Sequence, residues 1–189
     1  LDTLCLSGKQ RITCWINDKR FDFGPKLGLP KARINSVQVG PKGYVWAGTS
    51  DQGLFRSTVD LSALMQAKQE NKNFEPVWNE AKGADSDHIQ TLVWAGNSWW
   101  VGTAEGVSEL HPESLKVLSQ FSEATGLPNK SVSSIAQSTI TGHLWLGTNG
   151  GLVEVNPGTH KVVRTLSKSD GLIDNEVWFH QSVHLDDVG

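Results

Sequence analysis

Three copies of a Trp-x-Gly-Thr pattern constrain the fold of this chain more than any other feature. Each copy precedes a glycine and an apolar residue: Trp46–Thr49 before Gly53-Leu54, Trp100–Thr103 before Gly106-Val107, and Trp145–Thr148 before Gly151-Leu152. A second landmark, a glycine that usually precedes leucine, lies out of phase with the first: Gly28-Leu29, Gly83-Ala84, Gly126-Leu127 and Gly171-Leu172. Landmarks that recur in one order indicate a repeat protein.

The periodicity of residues 126–170 predicts the fold of one repeat. Apolar stretches around 132–135, 143–148, 152–155 and 162–166 are short enough for strands, and turn sequences separate them, such as the Asn-Gly-Gly of residues 149–151. Four short antiparallel strands in about 45 residues are typical of a propeller blade. A β-sandwich also has short strands between turns, but it gives no reason to repeat Trp-x-Gly-Thr at a fixed place. We therefore predict an all-β protein, a β-propeller segment of four-stranded antiparallel blades.

The landmarks also divide the chain. Whole blades are predicted at 28–82, 83–125 and 126–170, and residues 1–27 form a partial blade without its first strand. Residues 171–189 are expected to supply the first strand of a further blade. The sequence allows two arrangements of these blades: a four-bladed ring that is closed by pairing of its two ends, or an arc of a larger propeller. We favour the arc. Because an arc leaves sheet edges uncovered, we expect self-association or further blades of the parent chain.

These residues resemble the two-component regulator propeller repeat. The likeness covers residues 28–178 and is closest in 126–178, where residues 144–152, Ser169-Asp170-Gly171-Leu172 and Asn175-Glu176-Val177-Trp178 carry it. Such repeats occur in periplasmic sensor regions of bacterial membrane receptors that carry kinase, response-regulator or diguanylate-cyclase modules. The resemblance implies a periplasmic sensory or recognition role for part of a membrane-anchored parent, and it identifies no ligand.

Composition narrows the classes of partner. A net charge of −3 and a pI near 6.1 give no electrostatic reason to expect nucleic-acid or anionic-membrane binding. No apolar stretch approaches the roughly 20 residues that span a bilayer. The chain opens at Leu1 rather than methionine and shows no signal peptide, which we interpret as an excised or processed piece.

A polar rim is the predicted ligand site. In a propeller the loops before each first strand and the turns between the second and third strands share one face, and polar loops on a rigid scaffold often bind ligands. These segments contain six candidate residues: Asp51, Glu105, Asn129, Asn149, Asp174 and Asn175. The rim suits a hydroxyl-rich small molecule or carbohydrate, although the same residue types are also what tight turns require.

Catalytic and metal chemistry find little support in the sequence. His180 and His184 have helical ligand spacing, but in a strand they would be far apart, and no further ligands complete a tetrahedral site. We predict no metal, no cofactor and no catalytic residue. Because some propellers are lyases or glycosidases, a propeller enzyme remains an alternative, and so does a structural protein-interaction scaffold.

Two local features complete the predictions. Cys5 and Cys14 are expected to lie opposite each other on adjacent antiparallel strands, which would allow either a disulfide or two free thiols. An insert near residues 60–72 has apolar residues at helical spacing, with Asp60 placed to cap a short helix. That helix would lie on its own blade or contact another subunit.

Overall fold

The computed structural model describes residues 3–67 and 71–177 of the chain. Two compact units divide it, Leu1–Ile89 and Gln90–Gly189. The first unit contains, in order, β1 (Thr3–Gly8), β2 (Arg11–Ile16), β3 (Lys19–Phe23), β4 (Ile34–Val39), β5 (Tyr44–Thr49), β6 (Leu54–Asp60), α1 (Leu61–Gln66) and β7 (Phe74–Trp78). The second contains β8 (Ile89–Ala95, which begins at the boundary), β9 (Ser98–Thr103), β10 (Val107–Leu110), β11 (Val117–Phe121), β12 (Val132–Gln137), β13 (Leu144–Thr148), β14 (Gly151–Asn156) and β15 (Lys161–Leu166).

The strands form four sheets, each made of strands consecutive in the chain. Three sheets have four strands, β4–β7, β8–β11 and β12–β15, and the sheet β1–β3 has three. The register shows antiparallel pairing throughout these sheets, for example Trp145 opposite Glu154 and Leu146 opposite Val153. The predicted fold class, all-β with four-stranded antiparallel blades, is confirmed.

The Gly-Thr and the following glycine of each repeat build one kind of turn. Thr148 Oγ1 donates to the carbonyl oxygen of Gly151 at 2.8 Å and accepts from the backbone N–H of Gly150 at 3.1 Å. Thr49 and Thr103 make the equivalent pairs of hydrogen bonds. Gly151 has a φ of +136°, and a Cβ there would collide with the carbonyl oxygen of Leu166. The repeated motif is thus a buried turn that joins the second and third strands of a sheet.

The out-of-phase glycines end short 3-10 turns that follow the last strand of each sheet. These turns span Pro25–Leu27, Glu80–Lys82, Glu123–Thr125 and Lys168–Asp170, and a further one spans Pro41–Gly43. The glycine after each of the first four is left-handed, with φ between 92° and 108°. Gly83 adopts this conformation even though Ala84 replaces the usual leucine. The left-handed backbone conformation therefore requires the glycine and does not depend on the leucine that usually follows it.

The predicted insert helix is present but shorter than expected. It spans Leu61–Gln66, and Asp60 caps it by accepting a 2.9 Å hydrogen bond from the backbone N–H of Ala63. The predicted range of about 60–72 was too long, since Ala67 is already extended. The chain has to return to its sheet here, where Asn73 pairs through its backbone with Leu27 and Thr58.

Cys5 and Cys14 occupy the register that their spacing predicts. They lie directly opposite each other on β1 and β2, and a disulfide joins them. Cys14 is buried among Ile12, Ile16 and Phe23 in the core of the first unit. The bridge therefore ties the partly exposed β1 to a core strand.

The repeated tryptophans occupy equivalent places but are not equally buried. Each stands on the second strand of its sheet, opposite a residue of the third strand. Trp46 and Trp100 are buried, and Trp100 belongs to the core of the second unit with Val107, Phe121 and Leu146. Trp145 is half-buried, and the guanidinium of Arg164 lies over its ring.

The end of the chain is described only as far as Val177. Its backbone N–H donates to the carbonyl oxygen of Thr148 at 2.9 Å, and its own carbonyl accepts from Ser133 Oγ. The remainder of the strand predicted in 171–189, with His180 and His184, lies outside the described residues. Among the described helices, none is long and apolar enough to cross a membrane.

Candidate functional site

The first candidate site is the polar rim, and the structure brings part of it together. Asp51 is exposed in the first unit, in a turn where Ser50 Oγ donates to its carboxylate at 3.3 Å. Glu105, in the second unit, forms an ion pair with Lys130, whose Nζ lies 2.9 Å from both carboxylate oxygens. The hydrogen bonds that Lys130 donates to Glu105, aided by the charge of this carboxylate, raise the pKa of Lys130.

Three rim residues hold their own loops. Asn129 Oδ1 accepts from the backbone N–H of Ser131 at 2.9 Å. Asn175 Oδ1 accepts from the backbone N–H of Lys168 at 2.7 Å and so ties the 3-10 turn to the loop that follows it. Asp174 Oδ1 accepts from the N–H groups of Glu176 and Asn175, which lower the pKa of this carboxyl. These side chains already perform the local role that Asn and Asp have in turns.

Asn149 is the rim residue with the freest side chain. It is half-exposed, and within the described part of the chain its amide makes no hydrogen bond. The turn that carries it packs on the neighbouring loop, since a Cβ on Gly150 would lie 2.8 Å from the carbonyl oxygen of Pro128 and 3.1 Å from the Cβ of Asn129. Asn149 and Asn129 are therefore brought to adjoining segments, and the rim as a ligand site stays a prediction.

A second polar cluster, absent from the sequence-based predictions, runs across the strands beside the repeated tryptophans. In each four-stranded sheet the tryptophan of the second strand faces a charged residue of the third, which in turn faces a polar residue of the fourth. We call these sets the cross-strand columns, and they are Trp46–Arg56–Glu75, Trp100–Glu109–Ser119 and Trp145–Glu154–Arg164. In every repeat the charged residue lies three positions after the glycine that follows Trp-x-Gly-Thr. This regular spacing is the sequence signal that could have identified the columns.

Glu154 is the most constrained carboxylate of these columns. It is buried; Arg164 Nε donates to its Oε2 at 2.7 Å, and His143 Nδ1 lies 2.8 Å from its Oε1. His143 Nε2 lies 3.1 Å from the amide nitrogen of Asn156, which fits an Nδ1–H tautomer that donates to Glu154. Burial raises the pKa of Glu154, but the hydrogen bonds from His143 and Arg164 outweigh it, so the pKa lies below its usual range.

Glu109 occupies the equivalent place in its sheet but lacks an arginine. Its Oε2 accepts from Ser119 Oγ at 2.8 Å and lies 3.1 Å from His160 Nε2. The side chain is 10% exposed, whereas that of His160 is 49% exposed. Unlike Arg56 and Glu154, this buried charge has no oppositely charged residue on the neighbouring strand of its own sheet.

A cleft of about 430 Å³ opens beside Glu109, within the second unit. It is lined by Trp100, Glu109, Gln137, His143 and Asn156, together with the turns around residues 96, 142 and 158. These turns join first to second and third to fourth strands, so the cleft lies at the strand ends opposite to the rim. In residues 3–67 and 71–177 no group of three or more His, Cys, Asp or Glu side chains could hold a metal ion.

The fold and these sites define a segment of a β-propeller. Its structure resembles the extracellular domain of BT4673 from B. thetaiotaomicron, described as a hybrid two-component system, with a TM-score of 0.70 and 21% identity over 98% of this chain. It also resembles the extracellular domain of BT3049 from the same organism, described likewise, with a TM-score of 0.62 and 14% identity over 87% of this chain. The chain spans about a quarter of the length of these two structures, 24% and 23%. No protein-family model matches the sequence, and no curated protein matches it either.

Proposed function

We propose that this chain is part of an extracytoplasmic sensory propeller of a bacterial signal-transduction receptor. The observation that carries the proposal is the likeness, over 98% of the chain, to the extracellular domain of a two-component system. The disulfide between Cys5 and Cys14 supports a periplasmic or otherwise oxidising location. The parent protein would be anchored in the membrane and would carry its output module elsewhere.

The ligand of this sensor is proposed to be a small molecule or glycan that is bound without chemistry. Support comes from the rim, where the half-exposed amide of Asn149 makes no hydrogen bond with residues 3–67 or 71–177. Amide and carboxylate groups at the ends of strands suit the hydroxyl groups of such ligands. Glu105, Asn129, Asp174 and Asn175 would then position the loops as well as the ligand.

The test uses the complete extracytoplasmic region of the parent protein, because a propeller site draws on several blades. Thermal-shift screening with oligosaccharides and small metabolites, followed by calorimetry, should identify a ligand. Asn149→Ala should weaken its binding at least several-fold without lowering the melting temperature, whereas Asn71→Ala, on the exposed insert, should have no effect. Unchanged binding by Asn149→Ala would remove the site from the rim, and conversion of the ligand to a product would support the enzyme alternative.

We further propose that the three-stranded sheet is covered in the parent protein, by further blades or by a second copy of this chain. Leu4 and Trp15, which are cross-strand partners, are 57% and 37% exposed, and Leu6 is 50% exposed. Adjacent exposed apolar side chains favour an interface. Light scattering should show concentration-dependent association of the isolated chain, reduced by Leu4→Ser with Leu6→Ser. A monomer at every concentration would contradict coverage by a second copy and would leave further blades as the proposed cover.

A further inference from the structure

The three cross-strand columns differ in one component, a guanidinium group. In the first column the Cζ of Arg56 lies 5.6 Å from the ring centroid of Trp46, and its Nη2 lies 3.0 Å from Glu75. In the third column the Cζ of Arg164 lies 4.9 Å from the ring centroid of Trp145, and its Nε lies 2.7 Å from Glu154. Both columns therefore combine a tryptophan, a carboxylate and a guanidinium.

The middle column has the tryptophan and the carboxylate but no guanidinium. Trp100 and Glu109 are cross-strand neighbours, and the fourth-strand position that holds Arg164 in the third column is taken here by Ser119. Glu109 has no cationic partner on the neighbouring strands of its own sheet, which is unfavourable for a buried carboxylate, since its lost hydration is only partly replaced. The middle column is thus electrostatically incomplete by comparison with the other two.

Three residues that line the cleft have hydrogen-bonding groups without a partner among the described residues. Both contacts of Glu109 involve Oε2, and from the described residues Oε1 receives no hydrogen bond. Gln137 donates through its amide nitrogen to the carbonyl oxygen of Gly142 at 3.3 Å, and its amide oxygen accepts no hydrogen bond from the part of the chain that the structure describes. Trp100 Nε1 is buried and has no hydrogen-bond partner in the described segments. Glu109, Gln137 and Trp100 all line the cleft of about 430 Å³, a volume within the range of small-ligand sites.

We propose that this cleft binds a small ligand that carries a guanidinium group, which supplies the component that the middle column lacks. A guanidinium is a planar set of five donors and is less strongly hydrated than an ammonium, so it suits a buried carboxylate oxygen beside a second acceptor. Glu109 Oε1 and the Gln137 amide oxygen would accept its hydrogen bonds. His160, which is half-exposed, lies against the other oxygen of Glu109 and leaves Oε1 to the ligand. This site is independent of the rim and of the proposed sensory role.

The proposal can be tested on this chain with ethylguanidinium as the probe and ethylurea as its neutral analogue. In ¹H–¹⁵N spectra, ethylguanidinium should shift the indole resonance of Trp100 saturably in the millimolar range, and ethylurea should not. Glu109→Gln removes the charge with little change of shape and should abolish the saturable shift. Ser119→Arg places a guanidinium of the protein itself in the middle column. This variant should also abolish the saturable shift, and it should raise the melting temperature.

A matched control is available in the first column. Glu75→Gln alters a carboxylate that already has its arginine, so the response of Trp100 to ethylguanidinium should be unchanged. Equal shifts with ethylurea, or wild-type shifts in folded Glu109→Gln, would overturn the proposal. If Ser119→Arg did not fold, Glu109→Gln and the neutral analogue would still decide between these outcomes.

Discussion

Arg164 and Glu154 form a directly opposed pair on β15 and β14, joined by a 2.7 Å hydrogen bond, and the guanidinium of this arginine covers the half-buried ring of Trp145. The pair explains how a glutamate can stand on a strand whose neighbours Val153 and Val155 are fully buried. Buried charges persist in proteins when partners satisfy them. The repeat thus combines apolar packing with one charged position per sheet.

Glu154 should make the stability of the second unit sensitive to acid. Because its pKa is lowered in the folded protein, its contribution is complete above the ordinary glutamate pKa of 4.5 and is lost as the pH falls through the lowered value. Glu154→Gln should cost roughly 1–3 kcal/mol at pH 7. Urea unfolding should show that the difference from wild type shrinks toward pH 3. Glu113→Gln, at an exposed position, should give the same small difference at both pH values.

Gly151 should be among the least replaceable residues of its sheet. Its φ of +136° and the neighbouring carbonyl of Leu166 both exclude a side chain, so Gly151→Ala should destabilise the unit by more than about 2 kcal/mol. Gly142→Ala is the matched control, because that glycine also has a positive φ but nothing lies within 4 Å of an added Cβ. Its cost should stay near 1 kcal/mol, the cost of backbone strain alone. Equal losses in chemical denaturation would show that the collision with Leu166 is not the cause.

Thr148 is expected to stabilise its turn through the hydrogen bonds of its hydroxyl group rather than through the packing of its side chain. Thr148→Val keeps the volume but leaves the Gly150 N–H and the Gly151 carbonyl without their side-chain partner in a buried turn. The loss should be roughly 1–3 kcal/mol in urea unfolding. Thr165→Val, on the exposed face of β15, should change stability by less than about 0.5 kcal/mol. A neutral Thr148→Val would mean that water replaces the hydroxyl.

The Cys5–Cys14 bridge should be detectable and stabilising. Thiol titration of the purified, denatured chain without reductant should find no free thiol, since these are its two cysteines. Cys5→Ser with Cys14→Ser should lower stability by about 2–3 kcal/mol, as expected for a short closed loop. Two titratable thiols in protein prepared from an oxidising compartment would exclude the bridge.

The sequence by itself determined those features that depend on neighbours in the chain. The turn from Thr148 to Gly151, the cap at Asp60 and the opposed places of Cys5 and Cys14 follow from short spacings, because hydrogen bonds and strand pairing across a tight turn are local. Because the sequence repeats, the strands predicted for one unit could be assigned to the other units, and this predicted the all-β blade fold. The helix end at Gln66 was missed, since the return of the chain to β7 is a tertiary requirement.

Only the tertiary structure decided how the polar side chains are used. The sequence predicts Asn175 as a ligand residue, and the fold adds a partner that the sequence did not predict, the backbone N–H of Lys168. Glu109 is not among the residues that the sequence predicts for a site, but the packing of two sheets of the second unit leaves a cleft beside it and brings His160 to its carboxylate. Partners that lie 7 and 51 positions away are set by loop path and sheet packing, and no local propensity encodes those distances.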